Sequence, residues 1–431
     1  MSEQELNQIL AAPEPPAEDA APVKTDLTSD QAFELLRAGK TVENARIRRL
    51  KFRGAIDYAV RFRNCTLVHI EFDGVTFHQD VSFIGCTLDR PKFDRATICE
   101  KSLDLSHSIV NKAVIQRVTV KGKFFASHTE FRGKLIFVGC VFEQRVSFWE
   151  ARFATWADFK DCEFKDEADF RSVQCDQGFN LTKSVFHGDF LFRGSAVEKK
   201  FQADGSRFEK SLDLAKAKLR DYVYLEAIEQ GQLQTFAFLN AVAERIRVRP
   251  DQIDGRLASE MTGKFEDAMQ EYGLLKRCYQ QLHRFDHEDW AFYRFKVCQR
   301  RAKPVTWARP WTKWRVFGDW LFLDVGCGYG TSPGRAVRMA LIIILGFALL
   351  YGARVELFYS EKLPFPESPK ESFANRAMIG LITSVSVFTS GMGGIREVAQ
   401  GWMNVPVMIE SIMGTLLFGL FIVAFSRKVI R

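Results

Sequence analysis

The chain has 431 residues, more than one ordinary domain needs, and a formal net charge of +7 that fits a surface lying against anionic lipid or nucleic acid. Its nine cysteines show no CxxC or Cys/His ligand spacing, so no metal site is read from them. The amino terminus, MSEQELNQILAAPEPPAEDA, is acidic and Pro/Ala-rich and not a signal peptide, which places this part in the cytosol with reduced thiols.

Residues 1–27 lack aromatics and read as a disordered tail. Thr28–Gln31 is a capping-box pattern that opens a helix over Ser29–Arg37, with Gly39 placed to end it, and residues 28–44 form a short capping segment. From Cys65 to Leu219 an apolar residue, usually Phe, returns every five or six positions. One series is Phe142, Phe153, Phe164, Cys175, Phe186, Val197, Phe208 and Leu219; interleaved with it run Phe148, Phe159, Phe170, Leu181, Phe192, Ala203 and Leu214. Two positions before the first series sit Cys140, Ala151, Cys162, Val173, Ser184, Ser195, Ser206 and Ala217. The period of eleven is neither helical nor that of a simple strand, and it marks a stacked repeat. Nearer the amino terminus (Leu67, Phe72, Phe77, Phe83, Leu88, Phe93) the spacing is mostly five.

This pattern resembles the pentapeptide-repeat family. The resemblance implies a right-handed quadrilateral β-helix over residues 45–224, with large residues stacked on the axis and small ones at the inner corners. Cys65, Cys86, Cys140 and Cys162 then fill small slots rather than bind metal. Some pentapeptide-repeat proteins mimic DNA, which requires an acidic surface. This repeat is basic (Arg46, Arg48, Arg49, Lys51 and Arg53 open it) and carries no nucleic-acid module signature, so no nucleic-acid partner is expected.

Residues 225–305 read as a helical linker. Glu226–Arg249 looks helical, broken at Gly231 and ended by Pro250. Apolar positions from Phe265 to Leu282 and from Ala291 to Cys298 then suggest two antiparallel helices joined near Asp286, similar to a single TPR-like hairpin. Residues 306–335 interleave Trp307, Trp311, Trp314 and Trp320 with Arg309, Lys313 and Arg315, the pattern of a helix lying in a membrane interface. LFLDVGCGYG (Leu321–Gly330) is similar to the glycine-rich first motif of nucleotide-binding methyltransferases. It runs into a lipid-like segment with too little chain left for a doubly wound sheet, so its glycines are assigned to a bend and no enzyme is expected.

Residues 336–431 hold two apolar segments, 336–355 and 405–426, each near the ~20 residues a membrane helix needs. Between them Phe373–Ile395 is an apolar run ending in TSGMGG (Thr389–Gly394). A helix entering at a capping box (Ser368–Glu371), stopping at glycines and returning needs its irregular backbone shielded from lipid. TSGMGG resembles the TVGYGD filter of the potassium-channel superfamily, and Ile409–Arg427 is similar to the second helix of bacterial two-helix channels. It departs from that filter at Ser390, Met392 and Gly394, where Val, Tyr and Asp are usual.

The resemblance implies a pore helix over 369–388, supported by Ser386 and Phe388. It also implies a filter over 389–394 formed by Thr389, Ser390, Gly391, Met392, Gly393 and Gly394, a homotetramer in a bilayer, and K+ or Na+ as permeant monovalent cations with no other cofactor. Glu410, costly in lipid, is expected to face protein or water and to brace the pore helix. Gly414 and Gly419 are either gating hinges or close-packing points. Basic residues flanking both segments put both termini in the cytosol, in the inner membrane of a bacterium.

The whole is thus a multidomain α+β chain whose order of parts resembles bacterial pentapeptide-repeat ion channels. The repeat either senses a cytosolic ligand or serves as a rigid spacer. The competing reading is a membrane-anchored scaffold that conducts nothing.

Overall fold

A computed structural model describes residues 24–72, 74–93, 97–303, 316–355, 373–390, 399 and 401–429. The chain divides into two compact units, Met1–Met261 and Thr262–Arg431.

The first unit is a β-solenoid of about ten turns, as counted by its ten-stranded stack. Short strands of successive turns pair in parallel, residue to equivalent residue: Arg152 lies beside Glu130, and Gln174 beside Arg152. Two of the four strand stacks merge into one sheet of 19 strands, because Lys218–Tyr224 runs continuously from one face to the next. The alternation of five and six residues between large side chains makes a turn of twenty-two residues, so each large side chain sits over its equivalent. Phe142, Phe164, Phe186 and Phe208 accordingly stack with ring centroids 5.0, 4.7 and 4.9 Å apart. Phe148 over Phe170 repeats this on another row at 4.8 Å.

The small slots do more than leave room. Ser195 Oγ donates to the Phe170 carbonyl at 2.7 Å and accepts from the Val173 N–H at 3.0 Å. Ser184 does the same for Phe159 and Cys162, both at 3.1 Å. A buried hydroxyl thus bridges one turn to the turn before it, satisfying backbone groups that the narrow corner leaves without a ladder partner. At the same corners the chain reverses through a turn whose third residue takes positive φ, as the Ala151 N–H donating to the Phe148 carbonyl shows, with Glu150 at φ 55°. Ser172, Gly194 and Lys216 hold that position in later turns, at φ 58°, 74° and 58°. All nine cysteines are buried, and burial pushes the Cys99 thiol up to about 12.

Both open ends of the stack are covered. At the start, helix α1 (Ser29–Arg37) has the capping box of Thr28 and Gln31, and lays Phe33 edge-on against Phe52 at 5.3 Å. At the other end, helices α2 (Pro250–Ile253) and α3 (Ala258–Met261) come after the last turn. Here Gln252 Nε2 donates to the Leu225 carbonyl at 3.2 Å, and Arg256 to that of Gly231 at 2.9 Å. Such caps shield the terminal turns of a solenoid.

Two expectations are corrected here. Thr25–Asp26, assigned to the disordered tail, is a strand paired with Ala45–Arg46. Residues 226–249, read as helical, form the final turn, with strands Glu229–Gln230, Thr235–Ala237 and Val242–Arg247. The reason is a longer turn: Lys218 pairs with Val242, so the period that marks the earlier turns is lost while the stacking continues. Gly231 is pressed against the previous turn, where a Cβ would lie 2.6 Å from Glu209 Cα.

The second unit begins with an antiparallel pair, α4 (Phe265–Gln281) and α5 (Phe285–Ala302). Tyr272 meets Trp290 edge-on at 5.6 Å, and Arg301 lies over the Phe265 ring at 5.6 Å. A π-helix (Asp319–Val325) and a 3-10 turn (Gly328–Gly330) lead into α6 (Pro333–Ala353), with α7 (Phe373–Ser390) and α8 (Asn404–Val429) after it. Trp307, Trp311, Trp314 and the capping pattern Ser368–Glu371 lie outside the described residues.

Replacing Ser195 by Ala strands the Phe170 carbonyl and the Val173 N–H. It should lower stability by about 1–3 kcal/mol, read as a shifted urea midpoint, whereas a comparable change at exposed Lys199 should shift nothing. A thiol reagent should label no cysteine of the folded protein within minutes and all nine after denaturation.

Candidate functional site

The three apolar helices of the second unit pack through side-chain-free surfaces. A Cβ on Gly380 of α7 would lie 2.2 Å from the Ala348 carbonyl oxygen and 2.7 Å from the Gly352 nitrogen of α6. One on Gly414 of α8 would lie 2.5 Å from the Phe388 carbonyl oxygen of α7. Ala348 and Gly352 are one turn apart, the small-xxx-small spacing that lets helix backbones touch. Around these points Tyr351, Val387, Ala399, Met403 and Val407 form a buried cluster.

At the centre is one carboxylate. Glu410 of α8 has no exposed surface. It accepts a hydrogen bond from Tyr351 Oη of α6 at 2.6 Å and another from Ser384 Oγ of α7. Ser384 Oγ also lies 2.9 Å from the Ile344 carbonyl. A buried charge is tolerable only with such partners. Glu410 therefore ties α8 to both α6 and α7.

These contacts fix the depth of each helix. α7 starts beside the end of α6, with Arg376 against Gly352, and runs back along it to place Ser384 beside Ile344. α8 also starts beside the end of α6, where Met403 and Val407 share the cluster of Tyr351. In the last turn of α7, Phe388 meets Gly414, ten residues into α8, or about 15 Å along its axis. α7 thus ends roughly midway along α8, whose first residue, Asn404, lies back beside the end of α6.

The expected site residues are distributed as follows. Phe388 abuts Gly414, Ser386 lies half-buried on α7, and Glu410 holds Ser384. The helix continues two residues beyond its expected end, so Thr389 and Ser390 belong to its last turn. Thr389 Oγ1 donates back to the Val385 carbonyl at 2.7 Å, one turn earlier in the same helix. Gly391, Met392, Gly393 and Gly394 lie outside the described residues. Gly414 is a packing point, while nothing lies within 4 Å of a Cβ on Gly419. Tyr351 and Ser384 were missed in the sequence. A tyrosine and a serine inside apolar runs, opposite a lone glutamate, were the available signal.

A second polar cluster ties α5 to the far ends of α6 and α8. Buried Asp324 of the π-helix accepts from Arg300 at 2.6 Å and from Tyr293 Oη at 2.8 Å. Arg427 near the end of α8 meets Asp289 at 3.0 Å and covers the Phe292 ring at 4.5 Å. Leu321–Val325 is helical rather than a strand leading into glycines, so the nucleotide-binding geometry of the LDVGCGYG motif is not formed. The bend itself holds three successive residues with positive φ, Gly328, Tyr329 and Gly330. Tyr329 is retained there by Arg300, which donates to its hydroxyl at 3.1 Å. Among the described residues no group of three His, Cys, Asp or Glu side chains is placed to hold a metal ion.

A family model described as pentapeptide repeats (9 copies) matches residues 126–174, so the first unit carries a pentapeptide-repeat domain. Neither a curated protein nor a solved structure matches the chain. Two helices, Pro333–Ala353 and Gly401–Val429, are long and apolar enough to cross a membrane, with mean hydropathy 2.1 and 2.2.

Glu410→Ala removes the acceptor of the Tyr351 hydroxyl, leaves Ser384 the Ile344 carbonyl, and should cost about 2–4 kcal/mol. Glu410→Gln keeps an acceptor and should cost less, a ranking that thermal unfolding in detergent would check.

Proposed function

We propose that the chain is one subunit of a homotetrameric cation channel of the cytoplasmic membrane, conducting K+ or selecting weakly among monovalent cations. The reading is carried by one observation: Phe388, in the last turn of α7, lies about 15 Å along α8, while α7 and α8 start on the same side, beside the end of α6. That is half of the ~30 Å hydrocarbon layer, so α7 enters without crossing, while α6 and α8 span. On this reading the filter motif, TSGMGG, begins near mid-depth with Thr389 and Ser390, the last residues of α7. Irregular backbone at that depth is viable only where it lines water or is buried in protein.

The negative dipole end of α7 favours a cation at its carboxyl terminus, and main-chain carbonyls of the loop replace the ion's water shell. Gly391 and Gly393 allow the alternating backbone conformations such a loop requires. One chain supplies one loop, so a closed ring takes several copies, four by resemblance to two-helix channels. α7 also presents an apolar face, Met378, Leu381, Ile382 and Val385, that its own subunit leaves exposed. A neighbouring subunit or lipid covers it. Arg427 and Lys428 at the end of α8, with Arg335 and Arg338 at the start of α6, keep those ends cytosolic. The pentapeptide-repeat unit, on that side, serves as sensor or spacer.

In liposomes holding the full chain, K+ efflux should exceed that of empty vesicles by at least about ten-fold, as expected for a pore of this kind. Reversal potentials would give the K+/Na+ preference. Gly391→Ala and Gly393→Ala should each abolish the flux. Flux no greater than that of empty vesicles would leave the chain a membrane-anchored scaffold.

A further inference from the structure

We propose that a cavity between α5, the π-helix and α8 binds an anionic phospholipid. The cavity, of about 390 Å³, has two unlike walls. One is cationic: Lys296 and Arg300, one turn apart on α5, and Lys303, the residue that follows the helix. The other is aliphatic: Leu323 of the π-helix with Leu420 and Val423 of α8. Arg300 and Lys303 stand at the carboxyl end of α5, where the helix dipole favours positive charge, with Lys296 one turn before Arg300.

Two carboxylates offset part of this charge, Asp319 at 3.3 Å from Lys303 and Asp324 at 2.6 Å from Arg300. Lys296 makes its hydrogen bond to the neutral amide of Gln299, at 3.0 Å. Three cations against two carboxylates leave the wall positive and in want of an anion. The opposite wall is not closed. Val423 is 59 % exposed, so the aliphatic side runs on into the apolar outer surface of α8. A ligand that satisfies both walls has a phosphate at one end and an acyl chain at the other. A free phosphate would use the cationic wall and leave Leu420 and Val423 facing water. Basic pockets beside membrane helices, on the cytosolic side, have the charge that anionic headgroups seek.

This assignment rests on α6 and α8 being membrane helices, and not on conduction. The test uses the full-length protein in neutral detergent, with bound lipid counted by native mass spectrometry during titration with phosphatidylglycerol. Phosphatidylcholine and inorganic phosphate are the comparison probes. Phosphatidylglycerol should bind at least about ten-fold more tightly than either, and Lys296→Gln with Lys303→Gln should lower its affinity on the order of ten-fold. Val423→Trp, which fills the aliphatic side without touching the charges, should weaken it as well. Lys199→Gln with Lys200→Gln, on exposed positions of the solenoid, should leave it unchanged.

Equal retention of the two lipids, or unchanged affinity in both cavity variants, overturns the proposal. So does phosphate binding as tightly as the anionic lipid. Lipid binding without ion flux would keep the cavity assignment and remove the channel; flux without lipid binding would do the reverse.

Discussion

A single buried carboxylate organises the helical unit. Glu410 is fully buried, so among the described residues its position is set by the two donors that reach it, Tyr351 on one helix and Ser384 on another. Apolar helices in an apolar surrounding gain little from burying more apolar surface, and their mutual position has to come from close backbone contact and polar ties. Both are present within a few residues of one another. Gly352 and Gly380 bring α6 and α7 together, Gly414 admits the end of α7, and Glu410 locks the level at which they meet. A shift of α7 by one turn would break the hydrogen bonds and drive side chains into carbonyl oxygens. Its halting point along α8 is therefore a determined feature of the packing.

The solenoid solves the same problem of unpaired backbone by repetition. Each turn hands its carbonyls and N–H groups to the next, and the corner, where the ladder fails, is bridged by Ser, Thr or Cys side chains reaching across turns. Phenylalanine supplies the filling because a flat ring stacks on its own copy at the strand spacing. Most charged residues remain outside, and where one is buried, as Asp169 is, burial would raise its carboxyl but Arg171 and Arg145 beside it outweigh that and hold it below the usual carboxylate range. The solenoid is therefore rigid through many equivalent contacts, and the helical unit through a few specific ones.

Much of this was legible in the sequence for reasons that can be named. The period from Phe142 to Leu219 is a direct image of the stacked turns, since equal turns force equal spacing. The capping box at Thr28 reads true because its hydrogen bonds are local. The last turn was misread because it is longer, and a lengthened turn erases the period without erasing the stacking, which only contacts such as Gly231 against Glu209 reveal. Glu410 stood out as a charge in an apolar run, yet its partners did not. Tyr351 and Ser384 are ordinary residues whose roles arise from a meeting of three helices that spacing along one chain does not encode.

The equality of the turns has a further consequence for how such a chain can change over generations. A duplication or deletion of one whole turn leaves every neighbour relation in the stack intact, and alters only the reach of the solenoid, by roughly 4.8 Å, the distance between adjacent strands. The solenoid is thereby a ruler with discrete graduations. Its two caps, α1 at the start and the Gln252–Arg256 segment at the end, can be kept while the span between them is adjusted one increment at a time.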